Sequence, residues 1–298
     1  MRYLAIRTEQ LTKTYGHCRG IEDITLEVEP GEIFGILGLD GAGKTTYIRL
    51  LMGEIQPTRG EVLIFCLEQT RQRKEILPRV GYIPENRPHH IFGTVKTYLH
   101  PVAVVQGSSI WQEACSMAEQ IGLELNTPLN YLSREHSTIL SFIKAWIRKP
   151  DLMILDETTQ NLPAIFQDTI YRHIQQLRRQ GGAILLSSSS AAEMERICDR
   201  VAVFHKGRLV TVERGVHLRA KSLRRVEMRF AVPVQPEIFS CLPNLEDVQL
   251  EDNRLSCILR GDPDPLIKLV SQYRVVDLTS QQLSLDEVFR RNYGIRAA

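Results

Sequence analysis

Apolar and polar positions in the first part of the chain alternate between two kinds of repeat. Residues 21–28 have the two-residue period of a strand with one buried face. Short apolar runs typical of buried strands occur at 32–37, 61–65, 151–155, 183–187 and 200–204. Helical spacing of apolar residues occurs between them, at 44–52, 164–179 and 191–198. This alternation predicts an α/β domain in which helices cover a mainly parallel sheet.

The pattern changes twice further along the chain. From about 88 to 150 it is mainly helical with one break at Gly107, which predicts a helical insert in the first domain. A basic stretch at 215–225 has neither period and indicates a linker. Beyond it we expect strands at 226–232 and 274–278, a hairpin at Asp252-Asn253, and helices at 235–241, 264–272 and 284–291. We therefore predict a first domain at 1–218 and a small α+β domain at 219–298, for which a four-stranded sheet with helices on one side is one arrangement.

The charge, the cysteine content and the lengths of the apolar runs indicate which partners and which cellular compartment to expect. The chain has 298 residues with 37 basic against 35 acidic side chains, a net charge of only +2. A nucleic-acid-binding protein usually needs a concentrated basic face, so nucleic acid is not expected as the main partner. The six cysteines are scattered without a CxxC pair, as expected for reduced thiols in the cytosol. No apolar run approaches the ~20 residues that span a bilayer, so any membrane role is expected to act through a partner.

A glycine-rich motif lies between the predicted strand at 32–37 and the predicted helix at 44–52. Residues 38–45, Gly-Leu-Asp-Gly-Ala-Gly-Lys-Thr, match the phosphate-loop pattern GxxxxGK[ST] in full. The glycines let backbone N–H groups approach phosphate oxygens at a helix N-terminus, where negative charge is favoured. We expect Lys44 to reach the terminal phosphates of ATP and the Thr45 hydroxyl to bind Mg²⁺.

Two acids follow the apolar run at 152–155. Asp156 and Glu157 stand where a phosphate-loop site needs carboxylates, at the end of a buried strand. We expect Asp156 to bind Mg²⁺ through water, and Glu157 to be the catalytic residue that orients or deprotonates the attacking water. Two acids after a strand, taken alone, are common at the start of a loop. Together with the glycine loop, they predict a nucleoside triphosphatase.

These motifs resemble those of the ABC ATPases, and the resemblance covers essentially the whole chain. Tyr15 occupies the place of the aromatic residue that stacks on adenine in this family; the alternative is an edge-strand aromatic residue. Residues 197–201 and 205–209 also match the family's run after its switch region. The second domain, with its ending at 283–289, is similar to the C-terminal extension of bacterial ATPases that serve drug- and polysaccharide-type exporters.

The resemblance implies a phosphate-loop NTPase fold and a dimer. In this family each ATP lies between one subunit's phosphate loop and the other's LSGGQ signature, so a second ATPase subunit and two permease subunits are implied. The chain would then be bound to the cytoplasmic face of a membrane only through the permease. The residues expected to contact ATP are Tyr15, Leu39, Asp40, Gly41, Ala42, Gly43, Lys44, Thr45, Thr46 and, from the opposite subunit, Ser133. The Mg²⁺ ligands implied are Thr45, Asp156 and Glu85.

The chain departs from the family at the signature. Ser133 is kept, but Arg134 and Glu135 replace the two glycines whose N–H groups approach the opposite ATP. The bulk of Arg134 should obstruct that approach, and Glu135 adds negative charge beside phosphate. An alternative is that Arg134 itself contacts phosphate.

Three further departures concern the switch, the glutamine loop and the loop after Glu157. Ser189, within four consecutive serines, stands at the place of the switch histidine and is too short to reach the same phosphate oxygen. Losing such a contact typically costs about 100- to 1000-fold in rate. Glu85 replaces the loop glutamine but still offers oxygen to Mg²⁺. Pro163 replaces an aspartate that links the two sites of the dimer.

Three hypotheses follow from these residues. The favoured one is an energy-coupling subunit of an exporter that binds Mg-ATP well, hydrolyses it weakly as a homodimer, and works with a complete partner ATPase. The second is a nucleotide-binding regulatory or structural subunit that does not hydrolyse; retention of Asp156 and Glu157 argues against it. The third, a soluble ABC protein acting on ribosomes or DNA, usually has two ATPase units or a long insert, and neither is present here.

Overall fold

The computed structural model describes residues 3–16, 18–85, 92–160, 162–215, 223–283, 287, 288 and 291. The chain divides into two compact units, residues 1–213 and 214–298. The predicted domain boundary at 218/219 and the predicted start of the helical insert at 88 lie outside the described residues.

A six-stranded sheet forms the centre of the first unit. The strands of this unit are β1 Ile6–Tyr15, β2 Cys18–Val28, β3 Ile33–Leu37, β4 Arg59–Ile64, β5 Leu67–Glu68, β6 Val80–Ile83, β7 Leu152–Asp156, β8 Ala183–Ser188, β9 Arg200–His205 and β10 Arg208–Arg214. The central sheet has the order β10-β9-β3-β8-β7-β6. Its pairs β3–β8, β3–β9, β6–β7 and β7–β8 are parallel. Every residue of β3, β7 and β8 is buried, as expected for parallel strands covered on both faces.

A second sheet in this unit is antiparallel, with the order β2-β1-β4-β5. The sequence pattern predicts strands in this part of the chain but not that they leave the parallel sheet. The reason is that a two-residue period indicates one buried face without indicating which strand lies alongside.

The helices of the first unit lie close to their predicted positions. They are α1 Lys44–Leu51, α2 Arg73–Ile76, α3 Val95–Gln106, α4 Ser108–Gln120, α5 Arg134–Trp146, α6 Ala164–Arg179 and α7 Ala191–Ile197, with 3-10 turns at Leu77–Arg79 and Leu129–Tyr131. The predicted break at Gly107 separates α3 from α4, and this glycine has a φ of +109°. The α/β class with helical segments in the insert is therefore confirmed. None of the described helices combines the length and apolar character needed to cross a membrane.

The second unit is an antiparallel sheet with a main core and a smaller apolar cluster of Leu223, Ile258 and Leu283. It contains β11 Leu223–Phe230, a 3-10 helix Pro236–Cys241, β12 Leu245–Glu251, β13 Arg254–Arg260, α8 Asp264–Val270 and β14 Val275–Gln282, and the strand order is β12-β13-β11-β14. Val226, Met228 and Phe230 of β11 form its core with Phe239 and Leu266.

Three predictions for this unit need correction. The segment 235–241 is a 3-10 helix and not an α-helix, since so short a segment repays the cost of helix nucleation poorly. Strand β11 begins before 226, at Leu223, and β14 runs beyond 278 to Gln282. Of the predicted helix at 284–291, most residues lie outside the described part of the chain.

Candidate nucleotide-binding site

The glycine-rich loop connects the buried strand β3 to helix α1. Gly41 and Gly43 have φ angles of +77° and +101°, in the left-handed region that favours glycine. A Cβ atom on Gly43 would lie 2.7 Å from Ile21 Cγ2 and 2.9 Å from the Gly20 carbonyl oxygen, so no larger residue fits. A Cβ on Gly41 would meet nothing within 4 Å, so the backbone there faces open space. This loop can therefore present its backbone closely to a ligand.

Helix α1 starts at this loop without a capping side chain. Gly43 is its N-cap residue, and its first turn contains no acidic residue. The first N–H groups of a helix have no intrahelical partner, and the helix dipole favours an anion at this end. Tyr47 fixes α1 against the sheet, because its ring contacts Phe204 of β9 edge-on at 5.6 Å between centroids. The helix N-terminus is thus a fixed surface with the backbone groups that a phosphate needs.

Lys44 is buried at the centre of the site. Its ammonium group donates to the carbonyl oxygens of Gly38 at 2.6 Å and Leu39 at 2.9 Å, and it pairs with Glu157 Oε1 at 2.8 Å. Only 4% of the Lys44 side chain and 12% of the Glu157 side chain are exposed. A buried ammonium needs such partners, and the negative charge of a phosphate can replace one of them.

Three oxygen-bearing side chains meet beside Lys44. Thr45 Oγ1 lies 3.4 Å from Asp156 Oδ1 and 3.5 Å from Glu85 Oε2, at the outer limit of hydrogen bonding. Asp156 is fully buried, and its Oδ2 has no hydrogen-bond partner. Burial raises the pKa of Asp156 to about 6.

These oxygens fit a hard cation such as Mg²⁺, and the orphaned Oδ2 is an atom that a cation or its water would satisfy. Within the described residues, no group of three or more His, Cys, Asp or Glu side chains could hold a metal ion. A cation here would therefore depend on phosphate oxygens and water as well, which is the usual mode for Mg²⁺ with nucleotides.

Ser187 connects the Asp156 carboxylate to the backbone of Glu157, and we did not predict this residue. It is fully buried at the end of β8, opposite Asp156 in the register of β7 and β8. Its hydroxyl donates to Asp156 Oδ1 at 2.6 Å and accepts the Glu157 N–H at 3.0 Å. The signal that could have found it is a polar residue at the carboxyl end of a strand adjacent to the acidic one.

Tyr15 lies at the end of β1 with 44% of its surface exposed. A Cβ on Gly20 would lie 2.8 Å from Tyr15 Cε2 and 3.2 Å from Thr46 Cγ2, so both side chains border Gly20. The ring is therefore next to the start of α1, with Lys13 Nζ 5.5 Å from its centroid. Tyr15 offers a partly open aromatic face beside the phosphate loop.

Ser133 is the N-cap residue of α5. Its hydroxyl accepts the His136 N–H at 3.2 Å and lies 3.0 Å from His136 Nδ1. A hydrogen bond from the same hydroxyl is the main cause of a lowered pKa of Glu135. The first turn of α5 borders a cavity of about 130 Å³ that extends to the carboxylates, lined by Pro84, Glu85, Arg134, Glu135, Thr138, Glu157, Thr158 and Leu162.

The switch position and the loop after Glu157 are joined to each other. Ser189 Oγ lies 2.8 Å from Gln160 Nε2 and 3.0 Å from Gln160 Oε1. Thr159, next along this loop, donates to Glu193, a largely buried acid of α7. Pro163 is the N-cap residue of α6 and gives that helix no side-chain cap. The Ser189 hydroxyl is thus already bonded within its own chain.

Comparison with known proteins agrees with this geometry. The sequence profile of the ABC transporter family matches residues 21–160. The bacitracin transport ATP-binding protein of Bacillus licheniformis is 32% identical over 229 residues, which are 76% of this chain and 75% of that protein. The Nod factor export ATP-binding protein I of Rhizobium johnstonii is 27% identical over 308 aligned positions, covering 98% of this chain and 95% of that protein.

Solved structures show the same fold. A structure of the ATP-binding subunit of an ABC transporter superposes with a TM-score of 0.64 at 23% identity, covering 70% of this chain and 90% of that one. A dimeric ATP-binding cassette bound to ADP and phosphate gives 0.61 at 20% identity, covering 70% and 98%. Proteins of this kind bind and hydrolyse ATP and associate with transmembrane permeases. The resemblance noted in the sequence is confirmed: the chain belongs to the ABC transporter family, as an ATP-binding subunit of the phosphate-loop ATPase fold.

Proposed function

We propose that this chain is the energy-coupling subunit of an ABC exporter, which binds Mg-ATP at a dimer interface and hydrolyses it slowly unless a complete second ATPase is its partner. The proposal rests mainly on the contrast between the buried charged cluster of the site and the residues at the start of α5. Lys44, Asp156 and Glu157 form a connected buried cluster, whereas the start of α5 carries Arg134 and Glu135 in place of glycines. Export is supported by relatives named for bacitracin transport and Nod factor export.

The residues divide the work of ATP binding and hydrolysis. Lys44 and the N–H groups at the start of α1 bind the phosphates, and Tyr15 stacks on adenine. Thr45, Asp156 and Glu85 would hold Mg²⁺, which would supply positive charge to offset the charge that develops on the phosphates. Glu157 holds the attacking water; in the free protein its carboxylate is paired with Lys44 at 2.8 Å and must be released when phosphate arrives.

Slow hydrolysis as a homodimer follows from the residues at the dimer side. The N–H groups at an α5 start made of Arg134 and Glu135 are less accessible to an opposite phosphate than those of glycines. The Ser189 hydroxyl is bonded to Gln160 and has no charge to offer the phosphate. In a heterodimer this chain's ATP would meet an intact signature, and only the partner's ATP would meet the altered one. We therefore favour a heterodimer, by analogy with asymmetric members of the family.

The proposed assembly places the chain at the cytoplasmic face of a membrane, bound through permease subunits. Permease helices would dock near residues 85–98, which include the exposed Phe92. His89 and His90, in the middle of this stretch, lie outside the described residues. The exposed aromatic ring suits a contact with a partner, because it is 95% accessible.

The mass of the complex extracted from membranes tests the pairing. We expect one copy of this chain beside a different ATPase and two permease subunits in native mass spectrometry. Two copies with no other ATPase would contradict the heterodimer. A Lys44→Ala variant tests energy coupling in the same complex, with transport as the readout: transport should stop, and its survival would favour the regulatory or structural alternative.

A further inference from the structure

The four consecutive serines at 187–190 have four different sets of partners. The Ser187 hydroxyl contacts Asp156 and Glu157, and the Ser188 hydroxyl accepts the Ser190 N–H at 3.0 Å. Ser189 pairs with Gln160, and the Ser190 hydroxyl caps α7 by accepting the Glu193 N–H at 3.3 Å. Of the four hydroxyl groups, only that of Ser187 therefore bonds to the acidic residues of the nucleotide site, through the Asp156 carboxylate and the Glu157 N–H.

Ser187 fixes the rotation of the Asp156 carboxylate. Its hydroxyl donates to Oδ1 at 2.6 Å, a short distance typical of a hydrogen bond to an ionised oxygen. The other oxygen, Oδ2, is buried and has no partner. With Oδ1 held in this way, the carboxylate cannot turn freely, and Oδ1 stays 3.4 Å from Thr45 Oγ1, on the side where the cation is proposed to bind.

Ser187 also supports the backbone of Glu157. Glu157 has a φ of +49°, a left-handed conformation that is uncommon for a residue other than glycine. Its N–H points to Ser187 and lies 3.0 Å from Oγ and 3.2 Å from the carbonyl oxygen. These two acceptors hold a strained backbone in place and so set the direction in which the Glu157 side chain leaves the strand.

We propose that Ser187 is a positioning residue of the nucleotide site, which aligns Asp156 for the cation and Glu157 for the attacking water. The inference rests on the proposed binding of Mg-ATP and deepens it. Burying a hydroxyl at the end of a packed strand is unfavourable unless it forms hydrogen bonds. If this position only had to fill the core, an apolar residue would therefore be more stable there. Here it is bonded twice, and both partners belong to the site.

The affinity for ATP with and without metal tests the proposal on the purified full chain. Calorimetry would measure ATP binding to wild type and Ser187→Ala in Mg²⁺ and in chelator, and EPR would measure Mn²⁺ binding with ATP. For Ser187→Ala we expect the metal-dependent gain in ATP affinity to fall about tenfold while metal-free affinity stays within about threefold. Ser187→Thr should recover most of the loss because it keeps the hydroxyl.

Ser188→Ala is the matched control, since Ser188 is equally buried on the same strand but touches neither acid. If Ser187→Ala fails to fold, Ser187→Cys serves instead, because a thiol is a much weaker donor. Unchanged metal dependence in the Ser187 variants would overturn the positioning role while leaving Mg-ATP binding intact. An equal loss with and without metal would also overturn it. Absence of any metal effect in wild type would sink the proposed function and this inference together.

Discussion

Two groups of residues in the proposed site differ in how they are built. The strand-end group consists of Asp156, Glu157 and Ser187, at or just beyond the ends of parallel strands, with Lys44 at the start of α1, and is connected by hydrogen bonds and one ion pair. The helix-start group (Ser133, Arg134, Glu135, Pro163 and Ser189) lies at or just before the first residues of α5, α6 and α7. By the sequence resemblance, Lys44, Asp156 and Glu157 match the family's pattern, and we propose that the helix-start group departs from it.

We explain this proposed difference between the two groups by the loss of folding stability that substitution of each residue would cause. In the strand-end group, removal of either member of the buried Lys44–Glu157 pair leaves a charge uncompensated, which typically costs about 3 to 5 kcal/mol. In the helix-start group, Ser133 is kept where it caps α5 through the His136 N–H, which stabilises a helix by about 1 kcal/mol without any ligand. Exposed Arg134 is also a better helix former than the glycine that the family's pattern leads us to expect there. Retention of Ser133 is therefore explained by folding alone.

The largest expected effect comes from restoring the helix-start group. A variant combining Arg134→Gly, Glu135→Gly and Ser189→His should hydrolyse ATP about 100-fold faster or more as a homodimer, because it regains N–H contacts and a histidine at the phosphate. Steady-state phosphate release by the purified chain measures this. Ser189→Ala is the control: it breaks the pair with Gln160 without adding a histidine and should remain slow. Equal rates in the restored variant and wild type would show that turnover is limited elsewhere.

Lys44→Ala should have the next largest effect, this time on binding. Loss of the ammonium removes the main positive charge of the site, and we expect ATP affinity to fall about 100-fold, close to 3 kcal/mol. Calorimetric titration with Mg-ATP checks it. Lys149→Ala is a charge-matched control, since Lys149 forms a half-exposed pair with Glu113. A change of less than threefold for Lys44→Ala would contradict the central role of the strand-end group.

Asp156 should make the free energy of unfolding of the metal-free protein depend on pH. Its pKa is about 6 in the folded protein and close to the ordinary 3.8 when unfolded, because folding buries the carboxylate. The folded state therefore holds the proton more tightly, and the free energy of unfolding should fall as pH rises from about 4 to about 6. Asp156→Asn should remove this fall and stabilise the metal-free protein at pH 7 by about 1 to 3 kcal/mol.

Denaturant unfolding of metal-free protein at several pH values measures this change. Asp151→Asn is the control, because Asp151 is exposed and pairs with Arg79 at the surface. If Asp156→Asn is less stable than wild type at neutral pH, burial does not dominate the energetics of Asp156, and the carboxylate is better satisfied than its unpartnered Oδ2 indicates.

The sequence predicts most of the fold where local pattern and chain order suffice. Helix α6 has the predicted bounds because its apolar positions repeat with helical spacing over its full length. The same reasoning does not separate β1, β2 and β4 into an antiparallel sheet, since strand period carries no information on the neighbouring strand. The helix predicted at 235–241 is a 3-10 helix at Pro236–Cys241, and helical spacing over so few residues does not distinguish this type from an α-helix.

The proposed site shows a similar division. The phosphate loop and Asp156 could be predicted from sequence because their residues are contiguous and chemically distinctive. Ser187 was not found, because its importance depends on the register that places it opposite Asp156 on the adjacent strand. In the sequence it is only one of four consecutive serines, and only the pairing of β7 with β8 places it beside Asp156.

Substitution of Tyr15 should have the smallest effect on ATP affinity. Tyr15 belongs to neither group, and it is proposed to contact the base of the nucleotide. Tyr15→Ala should weaken ATP binding about threefold to tenfold, the effect of losing one aromatic stacking contact of about 0.5 to 1.5 kcal/mol. Tyr15→Phe should bind like wild type, because stacking uses the ring and not the hydroxyl. Tyr131→Ala is the control, since Tyr131 is 78% exposed and outside the proposed contacts. Fluorescence titration with a labelled ATP measures all three; if Tyr15→Ala binds as well as wild type, Tyr15 is only an edge-strand aromatic residue and the base is held elsewhere.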